Sequence, residues 1–481
     1  MINRLKLNPS KSFFLLLIFL NLVFIFIYEF YFRSLVIALI LKKTDLVDVH
    51  YYNGIFSNLT ISAIIVEILL IFIFSLRGKI YKVFVKSYES DYVVWQFILA
   101  NVIIQFLILF LVQTNPISDS LYYIKQAERL YISGSYTSEK EFLSAFWPIG
   151  LPALIVLFKH LFSDGIYAVK ILNILISSCL IFVLYNLLKD ALTKKQLFVF
   201  LSIMTFYPNN LFSVSVVLTD LPFTFLLWLL ILILYKKKKN YVGWSGIVLG
   251  MMCYLRATAI LLPIVIFLFF IVSEDLKKAI AKTAIISLIM IVTLSPWVIR
   301  NYNVFGKIIP VSTNGGFNFL MGNHAKATGG LNFDFEYNIN NPNEAEEDTK
   351  AYVKAFRDII DNPVQTIIRL PKKIIYSYYR GDSSITWALK STENNLSPLW
   401  VSITFFITNF MFYVFFFFSL ISIYIKFKNN IFTYLDKVIL AIYVYFIVMI
   451  LIYVGGERYI ISVIPIHIFY FSKNFYQFDE K

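Results

Sequence analysis

The stretch ISDSLYYIKQAERLYISGSYTSEKEFLSAFWPIGLP, residues 117–152, is mostly polar yet lies between long apolar runs, and its reading decides the fold. Asp119 follows directly on the apolar run 93–112. Helical spacing then puts Leu121, Ile124, Ala127 and Tyr131 on one face and Lys125, Glu128 and Arg129 on another. An amphipathic helix of this kind lies along a membrane surface. The return, Phe146-Trp147-Pro148-Ile149-Gly150-Leu151-Pro152, carries two prolines, which suit an interrupted, shallow helix better than a straight span. The stretch therefore reads as a structured loop pressed on a bilayer.

The rest of the chain agrees. Its 481 residues are 59% hydrophobic and only 15% charged, with a mean hydropathy of +0.73, the make-up of a polytopic membrane protein. A formal charge of +14 would suggest nucleic acid in a soluble chain. Here the basic residues cluster between apolar runs, as cytoplasmic loops do, so topology accounts for the charge and no nucleic-acid partner is expected. Cys179 and Cys253 each sit inside an apolar run, which excludes a disulfide framework and a cysteine metal site. The basic N-terminus, with Arg4, Lys6 and Lys11, precedes an apolar run too long for a signal-peptide core and is read as a retained first span.

Twelve runs are candidate spans: 12–32, 59–76, 92–113, 166–188, 196–214, 221–235, 242–256, 258–272, 283–299, 399–425, 436–453 and 457–472. The positive-inside rule supports this count, because the loops around Lys79, Lys189, Lys236–Lys239, Lys277 and Lys426 alternate onto one side. Lys42-Lys43, beside Asp45 and Asp48, is the exception. Both termini come out cytoplasmic in a plasma (inner) membrane protein. Counting 151–162 as a span would invert the Lys236–Lys239 block, so it is kept as an interfacial or re-entrant helix. Four regions follow: an N-terminal extension, 1–90, with two spans; a module, 91–299, with its first outer loop at 114–165; an outer-face lobe, 300–398; and C-terminal spans, 399–481. In the lobe, Asn314-Gly315-Gly316 and Gly329-Gly330 are turn signals, Asn343 can cap a helix to about Ile360, and 367–379 mixes apolar and basic residues as a headgroup-lying segment does. Asn395-Leu396-Ser397 is a glycosylation sequon that matters only in a host with the pathway.

This topology gathers chemistry on the outer face. Asp119 can accept a proton from an acceptor hydroxyl, or cap the helix that follows, and the two roles are compatible. Asp220, in SVSVVLTDLPF, sits where an ionised group is costly, the mark of a site, although Thr219-Asp220 before Pro222 also reads as a helix start. Arg256 interrupts an apolar stretch and Arg458 follows Gly455-Gly456. A guanidinium fork suits phosphate, and a snorkelling interfacial arginine is the alternative for each. Arg300, Tyr459 and Trp147 join Arg256 and Arg458 as substrate-binding candidates. His50, His160, His324 and His467 lack metal-ligand spacing, and the chain has neither a Walker A loop nor a dinucleotide fingerprint.

Four patterns together resemble the GT-C superfamily of membrane glycosyltransferases, the class of dolichyl-phosphate-mannose protein mannosyltransferases and bacterial aminoarabinose transferases (glycosyltransferase family 39). They are SDSLYYIKQAERLYISGSY with AFWPIGLP, YPNNLFSVSVVLTDLPF, YLRATAILLP, and SPWVIRNYNVFGKIIPVSTNGGFNFLMGN with GERYIISVIP. The resemblance covers about 91–472 and implies an all-α, GT-C-like bundle. It implies a hexosyl- or pentosyltransferase of the cell envelope that takes its sugar from a polyprenyl-phosphate donor and transfers it on the outer face with inversion. The acceptor would be a lipid, a protein or a glycan. Asp119 matches the family's base and Asp220 its second acidic position, where members often carry glutamate. Arg458 lies where basic residues meet the lipid phosphate. Metal dependence varies in the family, so a divalent metal is neither required nor excluded. The alternatives are a transporter or flippase, or a polymerase or ligase, of lipid-linked oligosaccharides.

Overall fold

A computed structural model describes residues 9–41, 46–88, 92–162, 164–338, 341–390, 392 and 396–474. Arg4, Lys6, Lys42-Lys43 with Asp45, and the sequon asparagine Asn395 lie outside these residues. Among the described residues the chain is all-helical, its only β-pairing being the isolated bridges Thr114–Thr392 and Thr137–Leu143.

Six helices are long and apolar enough to cross a membrane, or up to eight if two bent pairs each count as one span. The six cover the expected runs near 12–32, 92–113, 166–188, 283–299, 399–425 and 436–453, and the bent pairs cover 59–76 and 196–214. The second pair bends by 48° where Pro208 ends Lys194–Phe206. The other four runs fall on shorter elements: Asp220–Lys236, Tyr241–Leu255, Ala257–Ile271, and the pair Glu457–Val463 and Ile464–Asn474. Seventeen residues in Asp220–Lys236 make a rod of about 26 Å, just under a hydrocarbon thickness of about 30 Å.

Two ends of this bundle differ in chemistry. At one end the basic loops meet acidic partners: Lys236 with Asp190 at 2.6 Å, and Lys237 and Lys282 both with Glu274, at 3.0 and 2.5 Å. Asp220 and Lys236 are the first and last residues of one helix, so Asp220 lies at the other end. Tyr241–Leu255 runs the opposite way, starting four residues after Lys237 and delivering Arg256 beside Asp220. Gly246 and Gly250 let this helix press onto Leu276–Phe305, since a Cβ on either would stand 2.6 Å from the Cβ of Ile289 or Thr293. Small residues four apart are a common route to close helix contact in membranes.

Within the expected lobe, 300–398, lie the three helices Gly315–Asn323, Glu344–Asp361 and Pro363–Tyr378. Asn343 precedes the second as expected, but its side chain donates to Glu346 at 2.7 Å and does not cap the backbone. Asn314-Gly315-Gly316, read as a turn, opens the first of these helices. A Cβ on Gly316 would stand 2.2 Å from the Asp348 carbonyl, so glycine serves a close approach there. The third helix is inverted for a soluble protein: Val364, Ile367 and Ile375 are exposed while Arg369 and Lys373 are buried. Lys373 donates to Asn323 Oδ1 and the Leu451 carbonyl, both at 2.9 Å, and so ties the lobe to the end of Tyr434–Ile452. The N-terminal extension packs on Pro398–Lys428, where Ser402 is bonded to Ser62 and to the Ile55 carbonyl, each at 2.8 Å.

Candidate active site

Asp119 sits in the first turn of Ser118–Ser133, whose N-cap residue, Ile117, offers no side-chain cap. The Asp119 carboxylate reaches across the fold to Arg458, with Oδ2 accepting from Nη1. Asp220 opens Asp220–Lys236 and likewise makes no cap. Its Oδ2 accepts from Arg458 Nε at 2.8 Å and its Oδ1 from Arg256 Nη2. Arg256 Nε also donates to Thr219 Oγ1 at 3.0 Å. Arg458 thus bridges two carboxylates, and Asp220 bridges two arginines. Arg458 lies over Trp387, 5.4 Å from its ring centroid, and Arg256 over Phe223 at 5.5 Å.

Local sequence explains the reach of Arg458. Gly455 donates its N–H to the Gly329 carbonyl at 2.9 Å, and a Cβ there would stand 2.2 Å from the Lys373 carbonyl. Gly456 donates to Ser377 Oγ at 3.0 Å. Any larger residue at 455 would push this segment off the lobe and withdraw the arginine that follows. Arg380 pairs with the neighbouring Glu457 and donates to the Tyr52 hydroxyl at 3.1 Å, so the N-terminal extension also braces this segment.

Asp119, Arg256 and Arg458 line a cavity of ≈ 320 Å³ together with the expected Trp147 and Tyr459, whereas Asp220 is buried and does not line it. Trp147 stands edge-on to Tyr123, their centroids 5.4 Å apart. One wall is apolar, with Ile260, Leu261, Phe446, Met449 and Ile450. The lobe closes the cavity with Asn314, Asn318, Asp348 and Tyr352. Asp348 Oδ1 accepts from the Gly316 N–H at 2.6 Å, and burial pushes its carboxyl up to about 7.

Arg300 is not brought to this cavity. Its guanidinium donates to the carbonyls of Ser144 at 2.7 Å and Tyr136 at 2.9 Å, and lies over the Trp297 ring, so it holds the return of the loop after Ser118–Ser133. Glu344 secures the same return through Ser144 Oγ at 2.9 Å. Among the described residues no three His, Cys, Asp or Glu side chains converge as a metal site, and both site carboxylates face guanidinium groups. His467 is enclosed by aromatic rings and bonded to Ser419 Oγ at 2.7 Å, while His324 packs on Phe335.

Tyr123, Asp348, Asn314 and Asn318 are not among the site residues expected from sequence, which reads Asn314 only as part of a turn. Tyr123 lies one turn after Asp119 on the same helix and could have been found by that spacing. Asp348 carried no local signal beyond an acidic helix start.

Residues 147–299 match the family model described as dolichyl-phosphate-mannose-protein mannosyltransferase. No curated protein matches the chain. Among solved structures it is similar to the Archaeoglobus fulgidus oligosaccharyltransferase tethered to an acceptor peptide containing the NVT sequon, at 11% identity and a TM-score of 0.46, covering 80% of this chain and 49% of that one. The apo form gives 12% identity and 0.46, covering 80% and 51%. The archaeal oligosaccharyltransferase AglB from the same organism, in complex with an inhibitory peptide and a dolichol-phosphate, gives 13% and 0.44, covering 80% and 50%. The chain thus spans about half the length of these structures. The region that carries Trp147, Asp220 and Arg256 therefore matches a family of GT-C membrane glycosyltransferases, the resemblance that its sequence motifs indicate.

Proposed function

We propose that this protein is an integral membrane glycosyltransferase that moves a sugar from a polyprenyl-phosphate donor to an acceptor hydroxyl on the outer face, with inversion and with Asp119 as base. The observation that carries this reading is Arg458 held between Asp119 and Asp220 at the edge of a cavity with one apolar wall. The apolar wall suits a polyprenyl tail and the two guanidiniums suit its phosphate.

In the transfer, the acceptor oxygen attacks the anomeric carbon from the side opposite the phosphate. The bond from that carbon to the phosphate oxygen breaks and its electron pair leaves with the polyprenyl phosphate. The acceptor proton passes to the Asp119 carboxylate. The departing phosphate gains a negative charge, which Arg458 and Arg256 are already oriented to meet, because Asp220 holds both. An incoming donor phosphate also competes with Asp119 for Arg458. Donor binding would then free the base only when a sugar is in place.

The test is sugar transfer from synthetic polyprenyl-phosphate donors by the full chain in nanodiscs. Arg458→Ala should raise the donor KM and lower kcat more than Arg458→Lys, which keeps the charge and loses the fork. Equal kinetics for the wild type and both variants would reduce Arg458 to a membrane anchor. Movement of intact donor across the bilayer without transfer would favour the flippase reading instead.

A further inference from the structure

Donor chemistry accounts for only part of the cavity. The lobe side has a different character: Asn314 and Asn318 offer side-chain amides, Asp348 a carboxyl, and Tyr352 a hydroxyl. Ser312 Oγ donates to Asn314 Oδ1 at 2.8 Å, and the Asp348 carboxyl is fixed by the Gly316 N–H, so these groups are pre-oriented. Glu344, one helical turn before Asp348, is spent on Ser144 and the Ala145 N–H and is not open to a ligand. The only cations among the described lining residues are Arg256 and Arg458, both already engaged with carboxylates.

On the basis of the glycosyltransferase reading, we propose that the lobe face is the acceptor subsite, that Asp348, Asn314 and Asn318 bind the acceptor, and that the acceptor is an uncharged glycan end.

Planar amide and carboxyl groups donate to and accept from neighbouring sugar hydroxyls, and Trp147, stacked on Tyr122 with centroids 5.9 Å apart, adds apolar lining to the same cavity. A phosphorylated acceptor would bring like charge against Asp348 where its carboxyl is ionised, above about pH 7, and the lobe residues lining the cavity include no cation. The whole cavity, at ≈ 320 Å³, is at the lower end for small-ligand pockets, so beside a donor it has room for a sugar end rather than a folded partner.

The experiment uses the full chain in nanodiscs with polyprenyl-phosphate mannose and polyprenyl-phosphate glucose as donors. Three acceptors are compared: a neutral p-nitrophenyl glycoside, its 6-phosphate, and a serine- and threonine-rich peptide. The neutral glycoside should be used best, with kcat/KM about 10-fold or more above the phosphate. Asp348→Asn should raise the acceptor KM about 10-fold, leave the donor KM unchanged, and narrow the preference for the neutral over the phosphorylated acceptor. That last change is one a merely structural role would not produce. Asn318→Ala, which leaves the carboxyl in place, should raise the acceptor KM without changing charge preference. Transfer chiefly to the peptide, equal use of the phosphate, or an equal rise in both KM values would overturn the acceptor assignment while leaving the donor reading intact. Donor left unconsumed with every acceptor would overturn the glycosyltransferase reading, and this inference with it.

Discussion

Arg458 is shared between two carboxylates of unequal exposure, 28% for the Asp119 side chain and 7% for Asp220, and the difference sets what each substitution should do. In Asp119→Asn the arginine keeps Asp220, so thermal stability should stay within about 1 kcal/mol of the wild type. Removing the proton acceptor should cost roughly 100- to 10,000-fold in transfer rate. Both are read from the same samples, by melting temperature and product formation. Near-normal turnover in the Asn variant would remove Asp119 as base. Asp348 gives a pH signature. Burial raises its carboxyl from 3.8 to about 7, so the folded state favours the protonated form. That contribution to stability is complete below the unfolded value and is lost as pH rises through about 7. Between about pH 4 and about pH 7 the wild-type melting temperature should therefore fall relative to that of Asp348→Asn. Parallel curves for the two proteins would show that the carboxyl is not buried as described.

Among the elements, Tyr241–Leu255 is the one whose seating the site depends on most directly, because Arg256 is the next residue. Its contact with Leu276–Phe305 is fixed by Gly250 against Thr293 and by the Tyr254 hydroxyl donating to the Thr293 carbonyl at 3.1 Å. Gly250→Leu should force the helices apart, lowering the melting temperature and weakening donor use through Arg256. Gly243 on the same helix is different, because a Cβ added there would meet nothing within 4 Å, so Gly243→Ala should be neutral or stabilise by up to about 1 kcal/mol. Melting curves and donor KM for the pair check this, and identical behaviour of the two variants would exclude the close contact. Lys373 shows the same dependence from the lobe side. Lys373→Met leaves the Asn323 and Leu451 oxygens without their donor, and should cost about 2 to 4 kcal/mol in thermal stability.

At the scale of the whole molecule, the site and the basic loops occupy opposite ends of the same helices. Single cysteines at Asn240 and Lys326, both exposed, should therefore label from opposite sides of a sealed membrane. The positive-inside alternation puts Asn240 in the cytoplasm and Lys326 outside. Labelling of both from one side would sink the topology and the outer-face transfer reaction with it. The N-terminal extension has a place in this arrangement through Tyr52, Arg380 and Glu457, a chain of contacts that ends beside Arg458.

Sequence alone determined the apolar runs, the alternation of basic loops, and which charged residues stand conspicuously at the edges of those runs: Asp119, Asp220, Arg256 and Arg458. The reason is physical. In a bilayer an isolated charge is so costly that it stands out against its neighbours without any knowledge of the fold. Tertiary structure alone decided which of these charges pair, because 339 positions along the chain separate Asp119 from Arg458 and no local pattern encodes that contact. It likewise sent Arg300 to the carbonyls of Tyr136 and Ser144, and brought Asp348 to the cavity. In a polar lobe an acidic residue is ordinary, and only packing against Gly316 distinguishes this one.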